Sequence, residues 1–139
     1  MKPLRVMALA LSLAFGGPTA QAQVAPSAAE AAAYTGLHAA AHKGDLAKLQ
    51  RLVTVGAALN ATDGQGRTPL HVAAFARQRE VIRVLAKAGA DLNRLENDRY
   101  DAVTIASVAN DETTLKGLLE LGASATQVTS RYDGTALIA

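Results

Sequence analysis

Asp63-Gly64-Gln65-Gly66-Arg67-Thr68-Pro69-Leu70-His71-Val72-Ala73-Ala74, closed further on by Ala88-Gly89-Ala90-Asp91-Leu92-Asn93, is the stretch that decides the fold of this 139-residue chain. Thr68 is a good helix N-cap, and Pro69 suits the first helical position because its missing N–H would have been unpaired there anyway. Leu70, Ala73 and Ala74 give that helix one apolar side, so a short helix is predicted over roughly residues 69–76. Val81, Ile82, Val84, Leu85 and Ala88 follow at helical spacing, and Gly89 supplies the left-handed stop. The small side chains at 73 and 74 let neighbouring helices approach closely, where leucine would push them apart.

The pattern recurs. Gly56, Gly89 and Gly122 stand 33 residues apart, as do Leu59-Asn60 and Leu92-Asn93, and His38 and His71. A period of that length means stacked helical hairpins that bury their apolar faces only against one another. In the first unit Thr35, Leu37, His38, Ala40 and Ala41 open, Leu46, Leu49, Leu52 and Val53 form the stripe, and Gly56 closes. In the third, Asp101, Val103, Ile105, Ala106 and Ser107 open, Leu115, Leu118 and Leu119 follow, and Gly122 closes. The expected fold is an all-α solenoid with hairpin-like loops and repeats over about 34–63, 64–96, 97–129 and a truncated 130–139. The last begins at Gly134-Thr135-Ala136-Leu137-Ile138-Ala139, one residue late on the register.

Lys2 and Arg5 precede an apolar run from Val6 to Phe15, followed by Gly16-Gly17-Pro18 and the small-residue site Ala20-Gln21-Ala22. That is the form of a secretory signal peptide, with cleavage expected before Gln23 and export to the periplasm. A membrane anchor would need roughly 18 or more apolar residues. Residues 23–33 read as a linker running into a helix capped near Ser27 that covers the first repeat. At the other end Ala136-Leu137-Ile138-Ala139 is the opposite of the polar face that closes such stacks. The expectation is therefore the N-terminal part of a longer array.

Losing Lys2 and Arg5 leaves twelve basic residues against twelve acidic ones, so the mature chain is neutral. A nucleic-acid partner asks for a basic surface and is not expected, nor is membrane association after cleavage. With no cysteine there is neither a disulfide framework nor a thiol nucleophile. His38-Ala39-Ala40-Ala41-His42 has metal-compatible spacing, but no glutamate sits between the two imidazoles and no third ligand is near in sequence. The serines lack a nucleophile-elbow pattern, and the glycines of Asp63-Gly64-Gln65-Gly66 read as a hairpin turn rather than a phosphate loop. No enzyme activity, metal or cofactor is expected. Arg79, Arg83 and Lys87 line one side of a helix and read as a solvated outer face, with Glu80 beside Arg83.

The Thr68-Pro69-Leu70-His71-Val72-Ala73 core of the second unit, with Gly89 and the 33-residue period, resembles the ankyrin repeat, over residues 34–139. Two departures stand out: Arg77 where the family places glycine between the helices, and Asp101-Ala102-Val103-Thr104 in place of the Thr-Pro-Leu-His motif. The resemblance implies a monomeric protein-binding module with a concave surface made of hairpin tips and exposed positions of each first helix. Carried onto this chain, that surface holds His42 and Lys43; Gln65, Arg67, Phe75 and Ala76; Asn97, Asp98, Tyr100, Val108 and Ala109; and Arg131 and Tyr132. Tyr34, Arg67 and Tyr100 fall at one repeat position, and tyrosine and arginine dominate interface energetics. They are expected either to form a recognition track or, for the tyrosines, to pack on the next hairpin tip. The alternative function is a regulatory or protective accessory of a neighbouring exported enzyme: an inhibitor, an immunity factor or a stabilising factor.

Overall fold

The computed structural model describes residues 24–126; the leader, the fourth repeat, Arg131 and Tyr132 lie outside the described residues. Among the described residues seven helices follow one another: α1 (Ala28–Ala33), α2 (Gly36–Lys43), α3 (Leu46–Thr54), α4 (Pro69–Phe75), α5 (Arg79–Lys87), α6 (Ala102–Val108) and α7 (Glu112–Glu120). Among the described residues there is no strand, and no helix is long and apolar enough to cross a membrane. The helix α1 starts at a capping box. Ser27 Oγ accepts from the Glu30 amide at 3.1 Å, and Glu30 Oε2 accepts from the Ser27 amide at 2.7 Å.

The remaining six helices form three hairpins stacked in two layers, α2, α4 and α6 in one and α3, α5 and α7 in the other. One set of backbone bonds is repeated in each hairpin. The turn between helices closes through Asp45 N–H to Ala40 O at 3.0 Å, Gln78 to Ala73 at 2.9 Å and Asp111 to Ala106 at 2.9 Å. The end of the second helix closes through Ala57 to Leu52, Ala90 to Leu85 and Ala123 to Leu118, each at 3.0 Å. These last bonds need a left-handed residue just before them, and Gly56, Gly89 and Gly122 supply it with φ of 80°, 100° and 102°.

Burial follows the stacking. Leu49 and Ile82 are enclosed by the following hairpin, whereas their counterpart Leu115 is only half-buried on the far side of α7. Leu85 and Leu118 are fully buried in α5 and α7, each of which has a preceding outer helix packed on it, and Leu52 in α3, the first outer helix among the described residues, is half-buried. Leu52, Leu85 and Leu118 therefore occupy matching places in α3, α5 and α7. The inner layer is close because its contacts are alanines: Ala40, Ala41, Ala73, Ala74 and Ala106 are buried.

The two departures from the repeat pattern are absorbed locally. Arg77 and Asn110 take up the left-handed conformation that Gly44 adopts, with φ of 56° and 54° against 71°, so the turn keeps its geometry without glycine. Arg77 is also held from the side, its Nη2 donating to the Ala109 carbonyl at 3.1 Å. In the third hairpin Asp101 does the work of Thr68. It is wholly buried, and its Oδ1 accepts from the Thr104 amide at 2.8 Å.

Candidate partner-binding surface

The tips between hairpins are shaped by one carboxylate each. Asp63 Oδ1 accepts from the amides of Gln65 at 2.8 Å and Arg67 at 2.9 Å, while the Asp63 amide donates to the Arg67 carbonyl at 3.0 Å. Glu96 repeats this: its amide donates to the Tyr100 carbonyl, and its Oε1 accepts from the Tyr100 amide, both at 3.0 Å. The two tips are joined by the Asn97 amide donating to the Gln65 carbonyl at 3.0 Å. Asp63 and Glu96 are 33 residues apart, a recurrence that marks the tip carboxylate in the sequence.

Under the tips, the histidines hold one repeat to the next. His38 Nε2 donates to the Arg67 carbonyl at 2.8 Å. The Thr68 amide donates to His71 Nδ1 at 2.9 Å, which places the proton on Nε2, from where His71 donates to the Arg94 carbonyl at 2.7 Å. Burial pushes the His71 imidazole down to about 4, with the charges of Arg67 and Arg94 adding to it and the carbonyl bonds opposing it. The ring is neutral and structural. Among the described residues no three side chains of metal-ligating type come together.

The expected Tyr34, Arg67, Tyr100 track is where structure and sequence part. Arg67 is 4% exposed, so it cannot serve as an open contact on this surface. Its guanidinium lies 5.1 Å above the Phe75 ring, donates from Nη2 to the Val24 carbonyl, and faces Glu30 across 3.7 Å. The N-terminal segment has folded over it. Tyr34 is half-buried, and its hydroxyl donates to Asp63 Oδ2 at 2.7 Å, so this tyrosine packs on the next hairpin tip. Burial first, and then the Asp63 bond, push its hydroxyl up to about 12. Burial also presses on Asp63, but the bonds from Tyr34 and from the Arg67 and Gln65 amides outweigh it and hold the carboxyl below its usual range. Tyr100 is half-buried against the core.

Tyr34 over His42, with ring centroids 6.3 Å apart, and Arg67 over Phe75 are the same contact one period apart. His42 and Phe75 are accordingly half-buried. The third member of that set, Val108, is 57% exposed, and Ala109 beside it is exposed too. Lys43, Gln65, Asn97 and Asp98 are also exposed, and Ala76 is half-buried. The described face thus runs from Lys43 past the Gln65 and Asn97 tips to an uncovered apolar spot at Val108.

On the opposite side, the outer helices α5 and α7 flank a cleft of about 700 Å³ between Arg79, Arg83, Lys87 and Lys116 and the acidic Glu112 and Glu120. The cleft is mixed in charge, and its arginines are occupied. Arg79 donates to Asp111 Oδ1 at 3.1 Å and to Thr114 Oγ1 at 3.3 Å, and Arg83 lies 3.8 Å from Glu80.

Stacked helical hairpins joined by tip-to-tip bonds, with histidines stitching each unit to the next, define a solenoid repeat protein. The family description "Ankyrin repeats (3 copies)" matches residues 18–96 and 37–129, and the chain belongs to the ankyrin-repeat family. Proteins built of these repeats generally mediate protein–protein interaction and are typically not enzymes. No curated protein matches the chain significantly.

Proposed function

We propose that this protein is an exported, periplasmic, non-enzymatic binding module that recognises a protein partner through the face running from Lys43 to Val108. The observation that carries this reading is the uncovering of Val108 at a repeat position where His42 and Phe75 are both covered. On the tips the exposed Asn97, Asp98 and Gln65 offer polar contacts, and the Asn97 amide bonded to the Gln65 carbonyl holds two of them in place, so binding requires little loss of freedom. An apolar centre with a polar rim is the usual anatomy of such a site. With the N-terminal segment lying over it, Arg67 is not part of the open contact set, and Tyr34 and Tyr100 contribute only their exposed edges.

Export rests on the leader pattern of Lys2, Arg5, the run from Val6 to Phe15 and the Ala20-Gln21-Ala22 site. N-terminal sequencing of the periplasmic protein should begin at Gln23; recovery of intact Met1 in the cytoplasm counts against export. For binding, the wild type and a Val108→Arg, Asn97→Ala double variant are used as bait in periplasmic extract. The variant should lose the captured protein while keeping its melting temperature within about 3 °C, as surface changes do. Equal capture by both proteins would place recognition elsewhere.

A further inference from the structure

We propose that Arg67 is a carboxylate-recognition centre covered by the protein's own N-terminal segment, and that its proper occupant is an extended segment of a partner protein bearing an acidic side chain. This rests on the reading of the chain as a protein-binding module and adds to it the chemistry of the partner and a cover that must be displaced.

A guanidinium presents five N–H donors in a planar fork. At Arg67 this fork is almost wholly buried, and among the described residues it donates from Nη2 to the neutral carbonyl of Val24, with the Tyr34 hydroxyl close by. Among the described residues its Nε and Nη1 meet no acceptor at hydrogen-bond distance, and Glu30 approaches Nη1 only to 3.7 Å while its Oε2 is engaged by the Ser27 amide at 2.7 Å. A buried cation left with so few partners is costly, whereas a carboxylate can take two parallel N–H bonds from the same fork. The rest of the site is already built. The Phe75 ring supports one face of the guanidinium, and Tyr34 and Asp63 stand fixed beside it.

The cover is held far less firmly than the site. Residues 24–27 have no regular structure, Val24 is 67% exposed, and the short helix that follows buries none of its residues. The segment offers Arg67 a main-chain carbonyl, that of Val24, where a carboxylate would bind better. An acidic partner segment entering along the same line would displace it.

Because the chain has no cysteine, Val24→Cys accepts a single environment-sensitive fluorophore that reports the position of the cover. The probes are the peptide Glu-Ala-Pro-Ser-Ala-Ala-Glu, its counterpart with glutamine for both glutamates, and sodium acetate at equal carboxylate concentration. The acidic peptide should change the emission in a saturable way, and the glutamine peptide and acetate should not. Glu30→Gln keeps a capping-box residue but removes the competing charge. It should tighten the acidic peptide about twofold to fivefold, the size of one partly exposed ion pair. Arg67→Lys, which lacks the fork, should weaken it; should that variant fail to fold, the Glu30→Gln comparison decides alone. Equal responses to both peptides, a response reproduced by acetate, or no change in Glu30→Gln overturns the proposal. Capture of a partner through Val108 and Asn97 with no peptide response defeats this inference and leaves the binding reading standing. A charge-selective peptide response without such capture does the reverse.

Discussion

Asn60 Oδ1 accepts the backbone amide of Asp91 at 2.9 Å, tying the end of the first hairpin to the end of the second. One period later Asn93 Oδ1 accepts the amide of Ser124 at 2.7 Å. The Leu-Asn echo in the sequence is therefore a ladder in which each asparagine satisfies a donor of its neighbour. The first rung lies in solvent-exposed surroundings and the second is half-buried.

An unmet donor costs more where water cannot replace the lost acceptor. Asn60→Ala should lower stability by about 0.5–1 kcal/mol and Asn93→Ala by about 1–2 kcal/mol. Urea unfolding of the two variants measures the difference. Equal losses would mean that the rungs do not differ in hydration.

Arg77 and Arg99 both occupy the left-handed region, with φ of 56° and 67°. Glycine relieves that strain but adds freedom to the unfolded chain. At Arg99, which is exposed, relief should prevail and Arg99→Gly should stabilise by about 0.5 kcal/mol. Arg77→Gly also loses the bond to Ala109 and the contact with Asp111 across 3.9 Å, so its thermal midpoint should stay level or fall. Scanning calorimetry of both variants tests the contrast.

Gly66 has a φ of 72°, and a Cβ there would collide with Asn97 Oδ1 and stand 3.1 Å from the Asn97 backbone nitrogen. Gly66→Ala should therefore destabilise by about 1–3 kcal/mol and loosen the bond between the two tips. Amide hydrogen exchange at Asn97 should accelerate in the variant. Unchanged protection would show that the tips tolerate the extra atom.

The His71 imidazole is depressed from 6.5 to about 4 in the folded protein, so between those values the unfolded chain binds the extra proton. Stability from this group is complete above 6.5 and is lost as pH falls toward 4, on the order of 3 kcal/mol in all. Asp101 and Glu96 act in the opposite sense, because burial raises their carboxyls and they favour the folded state at lower pH. The His71 share is isolated by comparison with His71→Gln, whose stability should vary less between pH 6.5 and 4. Parallel curves for the two proteins would assign the acid sensitivity to other groups.

Most of the stack could be read from local chemistry. Thr68 and Pro69 start α4 as caps do, Gly56, Gly89 and Gly122 end the outer helices, and Leu52, Leu85 and Leu118 recur because each hairpin presents the same side to its neighbour. The effect of the departures was harder to foresee. That Arg77 would hold a glycine conformation while bonding the next turn depends on a carbonyl 32 residues away.

The face shows where periodicity stops being informative. Tyr34, Arg67 and Tyr100 share a repeat position, and so do His42, Phe75 and Val108, yet one member of each set differs in exposure from the others. The period specifies where a side chain leaves the scaffold. It carries nothing about what arrives from elsewhere to cover it.

The repeat unit, its register and the helix ends are written in the order of the amino acids, because caps, glycine stops and apolar spacing act within a few residues of one another. Which repeated positions meet solvent follows instead from how distant segments pack. Arg67 is buried because a carbonyl 43 residues earlier in the chain lies against it, and Val108 is open because no segment among the described residues does the same there. Exposure depends on contacts between distant parts of the chain, and a local pattern has no physical means of specifying them.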